Sequence, residues 1–139
     1  MSSVELINQD NINQEMLCKI FEDAYLSVTK SEKGNGVYIS ERYNTWFDID
    51  EKKKEYIRFS VVLKVNLNIS EQDMNFAINE VNKKYMMSRA FCNGNTVEID
   101  YYLWVNGGVD KKNVIFTYKF FAIASTSMAQ YLLGCNALA

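Results

Sequence analysis

The sequence contains no histidine and no proline. The first absence removes the side chain most used for proton transfer near neutral pH, together with the commonest zinc-ligand sets and any Ser-His or Cys-His couple. The second leaves no helix or strand interrupted by a residue that lacks a backbone N–H. Cysteine is scarce and odd in number. Cys18, Cys92 and Cys135 show no Cys-x-x-Cys spacing, so neither a disulfide framework nor a metal knuckle is indicated, and a reducing compartment is the natural setting. An excess of positive charge is lacking too. With 15 Lys and Arg against 17 Asp and Glu, a net charge of −2 gives no electrostatic reason to expect nucleic acid as a partner. The stretch from Met1 to Asp10 has neither the basic region nor the long apolar run of a secretory leader, so the expectation is a cytoplasmic protein. No glycine-rich phosphate loop precedes a helix, and there is no repeat or low-complexity tract.

What is present suits one globular domain spanning residues 1–139, long enough for a real core and too short for two. Hydrophobic residues make up 48% and charged residues 23%, the balance of an ordinary folded chain. From Asn11 to Thr29 the apolar residues Ile12, Met16, Leu17, Ile20, Phe21, Ala24 and Val28 fall on one stripe, which predicts an amphipathic helix capped by Asp10 or Asn11. Ser31 to Gly36 breaks the pattern and is a loop. Strands are predicted at Val37 to Ser40, Tyr43 to Asp50 and Tyr56 to Asn66, the last two joined by the charged loop Glu51 to Glu55. That run could instead be a small basic patch for an acidic partner, but acidic residues flank it on both sides. If Phe47 pairs with Phe59 and Ile49 with Ile57, then Asp48 faces Arg58 and Trp46 faces Ser60. Ser70-Glu-Gln-Asp73 resembles a capping box and opens a second helix, with Met74, Ala77, Ile78 and Val81 as its buried stripe.

The chain is organised around its next stretch, Asn82 to Val109. Asn93-Gly94 predicts a two-residue hairpin turn, which would set Cys92 opposite Asn95, Arg89 opposite Glu98, Ala90 opposite Val97 and Ser88 opposite Ile99. In the second strand Val97, Ile99, Tyr101, Leu103 and Val105 alternate with Thr96, Glu98, Asp100, Tyr102 and Trp104. One face is core, and the other begins polar and ends aromatic. Asn106-Gly107-Gly108 stops the strand, and Asp110 caps a helix from Lys111 to about Leu133. That helix carries Val114, Ile115, Tyr118, Phe121, Ala122 and Leu132 on a wide stripe, with Phe116, Phe120 and Ile123 beside it. Its length approaches a membrane span, but Lys119, Gln130 and Ser125-Thr-Ser127 favour a helix buried in the core and at a subunit contact. The order is α-β-β-β-α-β-β-α, an α+β fold with an antiparallel sheet of about five strands and three helices.

The helix ending Ile78-Asn-Glu-Val81-Asn82, the strand containing Arg89-Ala90, the apolar strand Val97 to Val105, and Gly107-Gly108-Val109 before the last helix together resemble the YbjN-like family of bacterial sensory transduction regulators. The resemblance covers roughly Ile57 to Leu133. It implies a fold similar to the class I type III secretion chaperones, which are small, acidic, dimeric and bind another protein chain. It implies no catalytic residue.

The residues themselves give no better account of catalysis. Asp48 with Asp50, and Glu98 with Asp100, lie two apart on strands and share a face, but Arg58 and Arg89 match them, and they read as the solvated side of a sheet. Cys18 and Cys92 have no histidine to activate them. Binding is better supported, because Trp46, Val62, Phe91, Tyr102 and Trp104 fall on the nominally wet face, and large aromatics there imply a cover. The cover is either a partner or one of the chain's own helices. The expectation is therefore a non-enzymatic, protein-binding regulator without cofactor, metal or membrane span, forming a homodimer. The alternative is a dedicated secretion chaperone or immunity-type protein for one cognate effector or toxin.

Overall fold

The computed structural model describes residues 6–139; the first five, where the leader reading begins, lie outside the described residues. The chain forms α1 (Gln14–Asp23), β1 (Val28–Lys30), β2 (Val37–Ser40), β3 (Asn44–Ile49), β4 (Tyr56–Lys64), α2 (Glu71–Lys84), β5 (Arg89–Asn93), β6 (Thr96–Trp104) and α3 (Lys111–Gly134). All six strands join one antiparallel sheet in the order β1-β2-β3-β4-β6-β5. The α+β class and the expected order of elements hold, with one strand more than expected.

The additional strand comes out of the first predicted helix, which is half as long as its apolar spacing suggests. Tyr25 turns to φ +63, and the N–H groups of Tyr25 and Leu26 close on the carbonyls of Glu22 and Phe21, each at 2.9 Å. This is a left-handed helix end, and the chain leaves it extended. Val28–Lys30 then pairs with β2. Three residues are too few for a period of two to stand out against a helical stripe that happens to continue. The N-cap is Asn13, whose Oδ1 accepts from the Met16 N–H at 2.8 Å, and neither Asp10 nor Asn11. Asn11 instead holds the preceding turn, bonding the Asn8 N–H and the Leu6 carbonyl.

The register at the centre of the sheet follows from alternation. Trp46 faces Ser60, Phe47 faces Phe59, Asp48 faces Arg58 and Ile49 faces Ile57, all as expected. The C-terminal hairpin differs. Its turn is Gly94-Asn95, so Arg89 faces Asp100, Ala90 faces Ile99, Phe91 faces Glu98 and Cys92 faces Val97. Gly94 takes φ +61 and Asn95 does not turn positive, the arrangement of a type II′ turn and not the Asn-Gly type I′ turn. The neighbouring strand end fixes the choice, because the Asn95 carbonyl accepts from the Val65 N–H at 3.0 Å. Moving each partner by two residues leaves every side chain on its expected face.

One face of the sheet carries the core. Phe47 and Phe59 meet edge to face across β3 and β4 at 4.8 Å between ring centres, and Phe21 of α1 and Phe121 of α3 close on them at 4.5 and 5.9 Å. Ile57, Val61, Val97 and Ile99 are fully buried beside them. Each such side chain contributes about 1.5–3 kcal/mol by leaving water. In α2, Ser70 caps by accepting from the Asp73 N–H at 3.1 Å, and Met74, Ala77 and Val81 face inward. At the end of α2 the Asn82 side chain lies along edge strand β5, giving its N–H to the Ala90 carbonyl at 2.9 Å and accepting the Ala90 N–H at 2.7 Å. A side-chain amide here takes the place of a neighbouring strand.

Helix α3 buries Val114, Tyr118, Phe121, Ser125, Met128, Ala129 and Leu132. Phe116, Phe120 and Ile123 stay exposed, so the core covers α3 on one side only. No described helix is long and apolar enough to cross a membrane.

Candidate functional site

Among the described residues, the three helices feed the same hydrophobic core, and none of the large side chains on the other face of the sheet belongs to it. Trp46, Val62, Phe91, Tyr102 and Trp104 all lie on that second face, which the strand alternation and registers bring together. The reading in which one of the chain's own helices covers them fails, because the helices pack on the opposite side. Trp104 is 56% exposed and Val62 49%.

Two aromatic groups flank a charged centre. On one side Tyr38 of β2 packs on Trp46 with ring centres 4.6 Å apart. On the other, Tyr56 of β4 meets Tyr102 at 5.0 Å and Trp104 at 5.2 Å across β6. Between them runs a cross-strand row from Trp46 through Ser60 to Asp100 and Arg89. The small Ser60 leaves room at the middle of the sheet, and long side chains fold over it.

Asp100 is the hub. Its carboxylate accepts from Arg58 Nε at 3.0 Å and from Arg89 Nε and Nη2 at 2.8 and 3.3 Å. Arg58 Nη2 reaches on to Glu98 at 3.1 Å. Asp100 is 1% exposed, so this carboxylate is buried by its partners and is not part of a solvated face as the sequence suggested. Burial opposes the Arg58 charge, but its bonds to Glu98 and Asp100 outweigh that and raise its pKa. The bond to Asp100 likewise raises that of Arg89, whose guanidinium lies over the Phe91 ring at 4.9 Å. Arg89 therefore pairs with Asp100, while Arg58 holds the Glu98 that was expected to face Arg89. Asp48 faces Arg58 along the strands, and burial pushes its carboxyl up against the pull of that charge.

Sequence reasoning missed Tyr38 and Tyr56 as members of this face, although it placed Arg58 there opposite Asp48. The same alternation that placed Trp46 and Trp104 would have found them, since Tyr56 shares the parity of Val62 in β4.

Among the described residues no three His, Cys, Asp or Glu side chains gather to hold a metal. Burial pushes the Cys18 and Cys92 thiols up, away from the reactive thiolate. What the face offers is flat aromatic area around a charge-balanced centre.

The family model for YbjN, described as "Putative bacterial sensory transduction regulator", matches residues 13–133. The chain belongs to the YbjN family. The match begins in α1 and ends in α3, so it takes in the N-terminal strands as well as the segment from Ile57 onward. YbjN from E. coli, described as "a putative transcription regulator", has the same fold, with a TM-score of 0.80 at 12% identity over 97% of this chain and 99% of that one. An uncharacterized protein from Methanothermobacter thermautotrophicus is also similar, with a TM-score of 0.66 at 13% identity over 88% and 98%. No curated protein matches.

Proposed function

We propose that this member of the YbjN family is a non-enzymatic regulator that holds a protein partner against the uncovered face of its sheet. The observation that carries the reading is the separation of Trp46, Val62, Phe91, Tyr102 and Trp104 from the core. They share one open face with Tyr38 and Tyr56, and no described helix covers it. Aromatic rings on a rigid sheet supply contact area at small entropic cost, and Tyr and Trp are favoured interface anchors.

The charges support a protein partner. Arg58 and Arg89 are spent on Glu98 and Asp100, so the centre of the face presents neither the cationic field that nucleic acid requires nor a net repulsion to another protein. The same balance suits a second copy of the chain, since a face without net charge does not repel itself, and a homodimer is the second form of this reading.

Light scattering on the native protein and on the Trp46→Ala, Trp104→Ala variant tests both. A native dimer that becomes a folded monomer assigns the face to self-association. A native monomer leaves the face to another protein, and a photo-crosslinking residue at Tyr102 then forms a single adduct that the two alanines abolish. A variant that fails to fold makes the tryptophans core residues and removes the proposal.

A further inference from the structure

A second surface lies on the helical side of the molecule, away from the sheet face. Between the end of α1 and the first turns of α3 runs a groove of about 490 Å³. Ile20, Ala24, Ile115 and Phe116 form its apolar lining, Lys112 and Lys119 stand beside them, and Asp23 is its acidic member. Lys111 lines it as well. Phe116, Phe120 and Ile123, each more than half exposed, continue from it along α3 at the i, i+4, i+7 spacing of a single helical ridge. Three such side chains in a row on a surface helix mark an interaction site more often than chance exposure does.

The backbone adds an independent observation. Tyr25, next in the chain to Ala24, is 98% exposed and sits at φ +63. Helix ends of this kind ordinarily use glycine, and a bulky aromatic residue at positive φ is an outlier.

We infer that this groove and ridge receive an amphipathic helix of a partner protein, apolar on one side and acidic along its flanks. The ridge spacing fits the grooves of another helix. The sign of the flanking charge comes from Lys112 and Lys119, which outnumber Asp23 in the lining, in a chain whose net charge is −2. An acidic flank is attracted there while a basic one is repelled.

The test uses fluorescein-labelled peptides of about 18 residues, five helical turns, with leucine along one face and either glutamate or lysine along both flanks. Anisotropy with the native protein is expected to show the glutamate peptide binding at least about tenfold more tightly than the lysine peptide, with the difference shrinking as salt rises. Phe116→Ala with Phe120→Ala is expected to weaken binding about tenfold or more, and Lys112→Glu with Lys119→Glu to reverse the preference between peptides. These positions are exposed, so a thermal melt close to native confirms that the variants fold.

Binding of neither peptide, equal binding of both, or a preference that charge reversal leaves unchanged overturns the inference. So does sedimentation of the protein with phosphatidylglycerol vesicles when the glutamate peptide does not bind. A native dimer that Phe116→Ala with Phe120→Ala makes monomeric places a second copy on the ridge, and equally overturns it. The Trp46→Ala, Trp104→Ala variant is expected to bind the glutamate peptide as the native protein does, so failure on one surface is distinguishable from failure on the other.

Discussion

The two faces of one sheet are made from alternate residues of the same strands, and they solve different problems. On β4, Ile57, Phe59, Val61 and Leu63 face three helices and carry no polar group. Arg58, Ser60, Val62 and Lys64 face outward with no helix above them. The covered face is filled by apolar side chains in mutual contact. The open face covers itself with long side chains, and each charge near its centre is tied to an opposite one. A sheet can therefore leave large aromatics outside its core, provided that the polar groups among them are satisfied by one another.

The sharpest way to break the comparison is to remove an aromatic ring from each face. Phe59→Ala opens a cavity among Phe47, Tyr101 and Phe121 and is expected to cost about 3–5 kcal/mol. Trp104→Ala, on a side chain more than half exposed, is expected to cost less than about 1.5 kcal/mol. Urea titrations of both variants check this. Equal losses would mean that the open face is a second core.

A smaller effect is expected at the centre of the open face. Asp100→Ala leaves the mostly buried guanidinium of Arg58 with Glu98 alone and is expected to destabilise by about 2–3 kcal/mol. That is below the usual range for a buried pair, because Arg89 is exposed enough to find water. Adding Arg58→Met is expected to deepen the loss, since it leaves the mostly buried Glu98 without its cation. A double variant as unstable as Asp100→Ala alone would refute the view that charge balance holds this face together.

The contrast between faces was legible in the sequence because a period of two survives any partner. The register of β3 on β4, the caps at Ser70 and Asp110 and the membership of Trp46, Val62, Phe91, Tyr102 and Trp104 all follow from local spacing. What local spacing does not contain is which strand end meets which turn. The hairpin was placed one residue early because Asn-Gly is locally favourable, while the Val65 N–H that fixes Gly94-Asn95 comes from a strand far away in the chain. For the same reason Asp100 read as a solvated carboxylate, since its burial depends on two arginines from different strands. Strand β1 was lost within a helical stripe that Tyr25 ends through a backbone angle unusual for its residue type.

The edge of β5 offers an intermediate test. Asn82→Ala removes both hydrogen bonds to the Ala90 backbone and is expected to cost about 1–2 kcal/mol. It also uncovers an N–H and a C=O on an edge strand. Concentration-dependent association of the variant, measured by light scattering, is the expected consequence, and a fully monomeric variant of native stability would show that the amide is incidental.

The smallest effect concerns Asp48, which separates burial from charge on the open face. Its carboxyl is raised mainly by burial, against the attraction of Arg58, and the close approach of Gly36 supplies the crowding: a Cβ there would stand 2.5 Å from Asp48 Oδ1. A raised folded pKa means that the charged form is the disfavoured one. The native fold is therefore relatively most stable below the unfolded carboxylate pKa, and it loses that advantage as pH rises through the folded value. Asp48→Asn removes this titration. Because Asp48 still reaches solvent, the variant is expected to gain less than about 0.5 kcal/mol at pH 7 and nothing in acid, where both side chains are neutral. Thermal melts across that pH range check the sign. A variant less stable than the native protein at pH 7 would show that Asp48 works as a partner of Arg58, and that the charge network of the open face extends onto β3.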